Sequence, residues 1–264
     1  HFEQRPSLHK FPLFCLITGE LKLPAAIKQA DSKGVIEKIL SRSSVFKGKH
    51  GQILPIHHPD FEHSIILIGI GDANKVSELT MMQLGGKIAD KANMAKYSEV
   101  GVLCEVEGVS RPDLFAHLLA GSRLKNYSFN HYFTVKKEDH LNSLAKVHAY
   151  GAQFKDVKSV FENLNNVVEG VYTTRDLVSE PPNVIYPVSF AKRCEALKKV
   201  GLKVKVLSPA EMKKLGMNAL LGVAQGSENE ARLVVMEWRG NPSSKEIIAF
   251  VGKGVTFDSG GINL

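Results

Sequence analysis

Two side chains late in the sequence have the types and spacing for metal chemistry. They are Lys253 and Asp258, set among Gly252, Gly254, Gly260 and Gly261. Asp258 is a hard oxygen donor suited to Mg²⁺, Mn²⁺ or Zn²⁺. Lys253 ligates a metal only as a neutral amine, and two adjacent divalent cations would depress its pKa enough to allow that. The glycines on either side of Lys253 remove bulk around it. Gly260 and Gly261 let backbone amides approach a ligand or a neighbouring chain closely. The same two residues also fit a glycine-rich turn carrying a surface salt bridge. They do not fit a P-loop, because Gly254 follows the lysine and the upstream glycine spacing is absent.

Other chemistry-bearing residues form weaker patterns. His57 and His58 are adjacent, so in a strand they point to opposite faces, and no third ligand stands nearby in sequence. A surface loop is expected there. Ser259 lies in no G-x-S-x-G elbow, so a Ser/His/Asp triad is not assignable. The stretch from Gly69 to Asn74 begins as a dinucleotide fingerprint but places Asn74 where the third glycine belongs. An ordinary strand-to-helix turn is expected instead. Cys15, Cys104 and Cys194 are odd in number, widely spaced and in no C-x-x-C pair. They read as buried free thiols in a reducing compartment rather than a disulfide framework or a zinc site. Trp238, at a strand end, reads as core.

The elements that must position the lysine and the carboxylate follow from periodicity. Apolar runs at 11–18 and 65–71 suit buried strands, and 100–106 and 129–135 suit two more. Helices are expected at 35–40 and 75–95, and after Arg111-Pro112, where proline is tolerated in the first turn. Strands separated by helices imply a mostly parallel sheet with helices on its faces. A boundary is expected near residue 150. Val157, Val160, Phe161, Leu164, Val167, Val168 and Val171 then repeat at helical spacing, giving one long helix that stops at Pro181-Pro182. A second α/β pattern follows. It comprises a helix at 189–199, a strand at 203–207 and a capping-box helix from Ser208 to Gly216. Strands are expected at 220–225, 233–238 and 247–251, the last feeding the lysine loop.

Composition bounds the classes. The chain has 264 residues, 44% hydrophobic and 23% charged, as ordinary globular proteins do. No apolar run of about 18 residues implies a membrane span. The N-terminus has neither a signal-peptide apolar region nor an initiator methionine. Formal net charge is +7, but the lysines are dispersed and pairs such as Lys198-Lys199 read as solvated faces.

The segment Val251-Gly-Lys-Gly-Val-Thr-Phe-Asp-Ser-Gly-Gly-Ile resembles the first metal-binding segment of the leucyl aminopeptidases (cytosol aminopeptidases). The 175–184 segment, Arg-Asp-Leu-Val-Ser-Glu-Pro-Pro-Asn-Val, resembles the entry to that family's catalytic domain. The stretches 216–227 and 232–237 are similar to its strand pair before the metal loop. Gly121 through Tyr127-Ser-Phe129 resembles a weaker signature of its N-terminal domain. The departures are Asn263, where the family usually has serine, and Ser179-Glu180 before the paired prolines.

The resemblance implies an α/β fold in two parts. A macro-like N-terminal α/β domain would cover 1–150 and a linking helix 151–180. The opening part of a mixed-sheet metallopeptidase domain would cover 181–264. It implies a hydrolase, a protease that releases N-terminal residues, often leucine, from peptides through two divalent ions, Mn²⁺ or Zn²⁺. Lys253 would bind one ion and Asp258 would bridge both. The family's catalytic lysine would follow Leu264, and its remaining ligands and specificity pocket would lie further on, so the isolated chain is expected to be inactive. A cytoplasmic homohexamer is implied. Some bacterial members bind DNA, which makes a DNA-binding or structural subunit the alternative expectation.

Overall fold

The computed structural model describes residues 1–4, 10–135 and 141–257. The chain divides into two compact units, His1–Arg175 and Asp176 onward.

The first unit is built on a six-stranded sheet. Its strands are β1 (Phe2–Glu3), β2 (Leu13–Thr18), β3 (Ile53–Ile56), β4 (Ile65–Gly71), β5 (Glu99–Leu103) and β6 (Lys146–Tyr150), in the spatial order β1-β6-β5-β2-β4-β3. All neighbours are parallel except β3, which pairs antiparallel to β4. Strand alternation sorts the apolar residues into two cores. Phe14, Leu16, Ile66, Ile68, Val100 and Val102 face one side, and Leu13, Cys15, Ile17, Ile65, Leu67 and Leu103 face the other. Both faces are covered, as a parallel sheet requires. Helices α1 (Ala25–Ala30) and α2 (Val35–Arg42) cover the second core. Helices α3 (Glu78–Met94), α4 (Pro112–Lys125) and α5 (Phe154–Ser179) cover the first.

Local chemistry starts these helices where the sequence says it should. Ser77 caps α3 reciprocally with Thr80, and Pro112 opens α4. The long helix α5 lays Val157, Val160, Phe161 and Leu164 on the first core, so residues 154–175 pack as part of that unit. No sheet strand forms at 129–135. Phe133 N–H donates to Asn130 O in a turn, and Tyr132, Phe133 and Val135 are exposed. β3 and β6 had no clear signal, since Pro55 interrupts one and Lys146 and His148 the other.

The second unit holds α6 (Pro187–Ala196), a 3₁₀ turn at Leu197–Val200, β7 (Lys203–Leu207), α7 (Pro209–Lys214), α8 (Asn218–Ala224) and β8 (Leu233–Glu237). β7 and β8 form an antiparallel pair. The capping box at α7 is present. The Ser208 backbone N–H and hydroxyl both donate to Glu211 and hold its carboxyl below the usual range. The strand expected at 220–225 is the helix α8. Met217, Leu220, Leu221 and Ala224 recur at three- and four-residue spacing and pack on Leu207, Met212 and Ala231, so the helical period prevails. Among the described residues, no helix is long and apolar enough to cross a membrane.

Candidate metal loop

The loop that carries Lys253 leaves the β7–β8 pair through Trp238. That residue is not core: it is 66% exposed and lies flat enough against the chain that a Cβ on Gly201 or Gly240 would press on its ring. A turn follows, in which Ser243 N–H donates to the Asn241 side chain and Glu246 N–H to the Ser244 hydroxyl. The strand expected at 247–251 is not in a ladder. Ile247, Ile248, Phe250 and Val251 are 83–99% exposed, and among the described residues no strand pairs with them. The sequence period is that of a buried strand, but a strand exists only through its partner.

Lys253 itself is exposed. Val255 N–H donates to its carbonyl at 3.1 Å, closing a tight turn around Gly254. Gly254 lies close to α6: a Cβ there would sit 3.3 Å from the Phe190 ring, a tight contact. Gly252 meets nothing within 4 Å, so it leaves the lysine unobstructed. Among the described residues the Lys253 ammonium has no ion-pair partner. Asp258 lies outside the described residues, as do Ser259, Gly260, Gly261 and Asn263. An amine nitrogen beside a carboxylate oxygen is a donor set that fits borderline divalent ions such as Zn²⁺ and Mn²⁺.

The approach to this loop is anchored within each unit. Arg175 Nη1 donates to Leu124 O at 2.7 Å and its guanidinium stacks over Tyr127. The Tyr172 hydroxyl donates to Arg123 O. These bonds engage the last carbonyls of α4, of which Arg123 O also accepts from the Asn126 N–H. Arg175 and Tyr127 therefore do structural work in the two stretches singled out above. In the second unit, Arg193 pairs with the nearly buried Glu180 at 2.9 Å.

The remaining candidates resolve into structure. Gly69 and Gly71 serve the backbone. Gly69 lets the 48–52 loop cross so closely that a Cβ would lie 2.2 Å from Lys49 O, and Gly71 adopts φ 81°. His57 is exposed in a loop, as expected, but His58 beside it turns inward. It is buried, stacks on Phe61 and bonds Asp31 at 3.2 Å. Cys15 and Cys104 are buried and Cys194 half-buried, all free.

Sequence reasoning missed one cavity. It measures about 330 Å³ and is lined by Pro24, Cys104, Glu105, Glu107, Ser110 and Gln153 among others. It lies past the carboxyl ends of β2 and β5, where the chain order of the sheet reverses, which is the usual ligand position of such sheets. Its carboxylates are engaged: Glu105 accepts from Ala152 N–H, and Glu107 pairs with Lys22 at 3.6 Å.

Comparison with known proteins sets this geometry in a family. Residues 13–136 match the model of the cytosol aminopeptidase family N-terminal domain, and residues 172–264 that of the family's catalytic domain. A probable cytosol aminopeptidase of Bradyrhizobium sp. is 40% identical over 250 residues, covering 92% of this chain and 50% of the relative. One of Nitrobacter winogradskyi is 40% identical over 256 residues, covering 96% and 51%. The chain thus spans about half the length of the curated relatives it matches. A tomato leucine aminopeptidase mutant shares the fold with a TM-score of 0.72 at 21% identity, over 88% of this chain and 49% of that one. The bottromycin maturation enzyme BotP in complex with Mn does so with 0.65 at 19%, over 85% and 44%. With both domain models matched in order along it, the chain belongs to the cytosol aminopeptidase family.

Proposed function

We propose that this chain is part of a metal-dependent aminopeptidase that releases N-terminal residues, leucine among them, from peptides. The observation that carries the reading is the Lys253 loop. An exposed lysine without an ion-pair partner among the described residues, flanked by glycines, stands inside the segment matched to the family's catalytic domain. The relatives, probable cytosol aminopeptidases, support the activity, and the BotP complex with Mn supports the metal. Lys253 would hold one divalent ion and Asp258 would bridge two. Such ions polarise the scissile carbonyl and lower the pKa of bound water. The chain's own contribution is to present the lysine on a turn that passes close to Phe190 at Gly254, with open space at Gly252. A homohexameric assembly in the cytosol belongs to the same reading.

A second reading concerns the chain by itself, as a catalytically silent piece. The exposure of Ile247, Ile248, Phe250 and Val251 favours it, because an active-site strand needs its neighbours in place. Hydrolysis of a leucine-coupled chromogenic amide in Mn²⁺, with intact mass measured on the same sample, separates the two. Hydrolysis by a species heavier than 29.0 kDa, or by this chain with a second fragment, and its loss in Lys253→Ala, supports the aminopeptidase. A pure 29.0 kDa chain without hydrolysis supports the silent piece. Hydrolysis unchanged in Lys253→Ala overturns the role given to that residue.

A further inference from the structure

The parallel pairing of β1 with β6 sets Phe2 opposite Ala149 and Glu3 opposite Tyr150. By strand alternation, His1, Glu3 and His148 then share one face of the sheet. The candidate donor atoms of these three side chains all lie within 4.8 Å of one another. His1 Nε2 is 2.8 Å from Glu3 Oε1, and the two imidazole rings meet edge to face at 5.5 Å.

His148 supplies an independent observation. It is buried, stacked on Phe11, and its Nε2 bonds Glu99 Oε2 at 2.7 Å. A carboxylate accepts only, so the ring proton sits on Nε2 and Nδ1 carries the lone pair. Nδ1 is buried and has no hydrogen-bond partner among the described residues. A buried nitrogen lone pair without a partner costs free energy. A histidine that donates its far N–H to a carboxylate and keeps its other nitrogen free has the arrangement of a metal ligand with its supporting group. Lys146 Nζ, 3.9 Å from Glu99 Oε2, balances the charge of that carboxylate.

We propose that His1, Glu3 and His148 form a divalent-metal site, separate from the Lys253 loop, with Glu99 as the group that orients His148. Two imidazoles and one carboxylate suit Zn²⁺ best among common biological ions. Ligands about 2.0–2.2 Å from a tetrahedral zinc lie about 3.3–3.6 Å apart. Donor atoms within 4.8 Å of one another close on such an ion with side-chain shifts of about 1 Å. The bound ion clips the two-residue edge strand β1 to β6 and so pins the first residues to the sheet.

The test is calorimetric titration of metal-free chain with Zn²⁺, in a Lys253→Ala/Asp258→Ala background that removes the other donors. One equivalent is expected to bind and to raise the melting temperature. Binding is expected to vanish in Glu3→Gln and in His148→Asn, and to weaken roughly 10–100-fold in Glu99→Gln. Glu3 is partly exposed, so Glu3→Gln reports even if the His148 variant loses its fold by circular dichroism. No binding in the background protein overturns the proposal. So does stoichiometric binding that survives Glu3→Gln, which would place the ion on other donors.

Discussion

Asp31 and His58 are each 1% exposed at the side chain, and they define the residue scale of this protein. Asp60 N–H donates to His58 Nδ1, so the imidazole proton is on Nε2 and points at Asp31. The carboxylate also accepts from Val35 N–H and Ile36 N–H at 2.7 Å each, satisfying the first amides of α2. Burial pushes the Asp31 carboxyl up, but the two amides and His58 outweigh it, and the net shift is below the ordinary 3.8. A depressed carboxyl stabilises the fold above its unfolded value, and that stability is lost as pH falls through the folded value. Unfolding by urea is expected to become easier below about pH 4, and Asp31→Asn is expected to flatten that acid limb. Asp31→Ala strands a buried imidazole and two amides, and is expected to cost about 3 kcal/mol in the same measurement. Thiol chemistry follows burial too. Desolvation raises the Cys15 thiol strongly and the Cys104 thiol to about 12, whereas half-buried Cys194 rises less. Iodoacetamide is expected to label Cys194 well before the other two, and all three only after denaturation. Of these features the sequence made the free cysteines legible. It hid His58, because Asp31 stands 27 residues away and only the fold brings them together.

The packing of α3 on α4 rests on two glycines at the element scale. A Cβ on Gly85 would sit 1.8 Å from Leu118 O, and one on Gly121 would sit 2.1 Å from Met82 O. The helix backbones therefore touch, and any side chain at either position forces them apart. Gly86, one residue on, faces only the Lys125 stem at 3.6 Å, an ordinary contact. Gly85→Ala is expected to destabilise the protein by about 3 kcal/mol through overpacking. Gly86→Ala is expected to stabilise it by about 0.5–1 kcal/mol, since alanine relieves the entropy cost of a helical glycine. Thermal melts of the two variants check the opposite signs; equal signs would mean that the helices do not meet at these residues. The long elements were legible because burial imposed one period on many residues, as in β2, β4, α3 and α5. The errors came where the period was short or its partner was elsewhere. Four apolar residues at 217–224 fit a helix, yet their apolar run reads as a strand. Ile247–Val251 reads as a strand whose partners are not among the described residues. The candidate loop drew notice in the sequence through Lys253 and its flanking glycines. The His1–Glu3–His148 cluster did not, because it depends on the register of β1 against β6.

At the scale of the whole molecule, the two units differ in how completely they bury their apolar residues. The first unit encloses two cores with both sheet faces covered. The second has a small core around Leu207, Met212 and Ala231, and leaves Trp238, Ile247, Ile248, Phe250 and Val251 in solvent. Burying a large aliphatic or aromatic side chain is worth about 1.5–3 kcal/mol. Large apolar side chains exposed together in this way are open to an apolar partner. Hydrogen exchange by mass spectrometry is expected to show the amides of 247–251 exchanging within seconds, while β2, β4 and β5 stay protected for as long as the fold survives. An apolar dye is expected to bind the chain, and Ile248→Lys with Phe250→Lys to remove most of that signal without lowering the melting temperature of the first unit. Protection of 247–251 in the isolated chain would mean that this segment finds a partner within it. If protection appears instead only when the rest of a family catalytic domain is supplied, the segment is an inner strand waiting for its neighbours. The Lys253 turn would then gain a fixed place at the strand's end, as a ligand that must be held to a few tenths of an ångström requires.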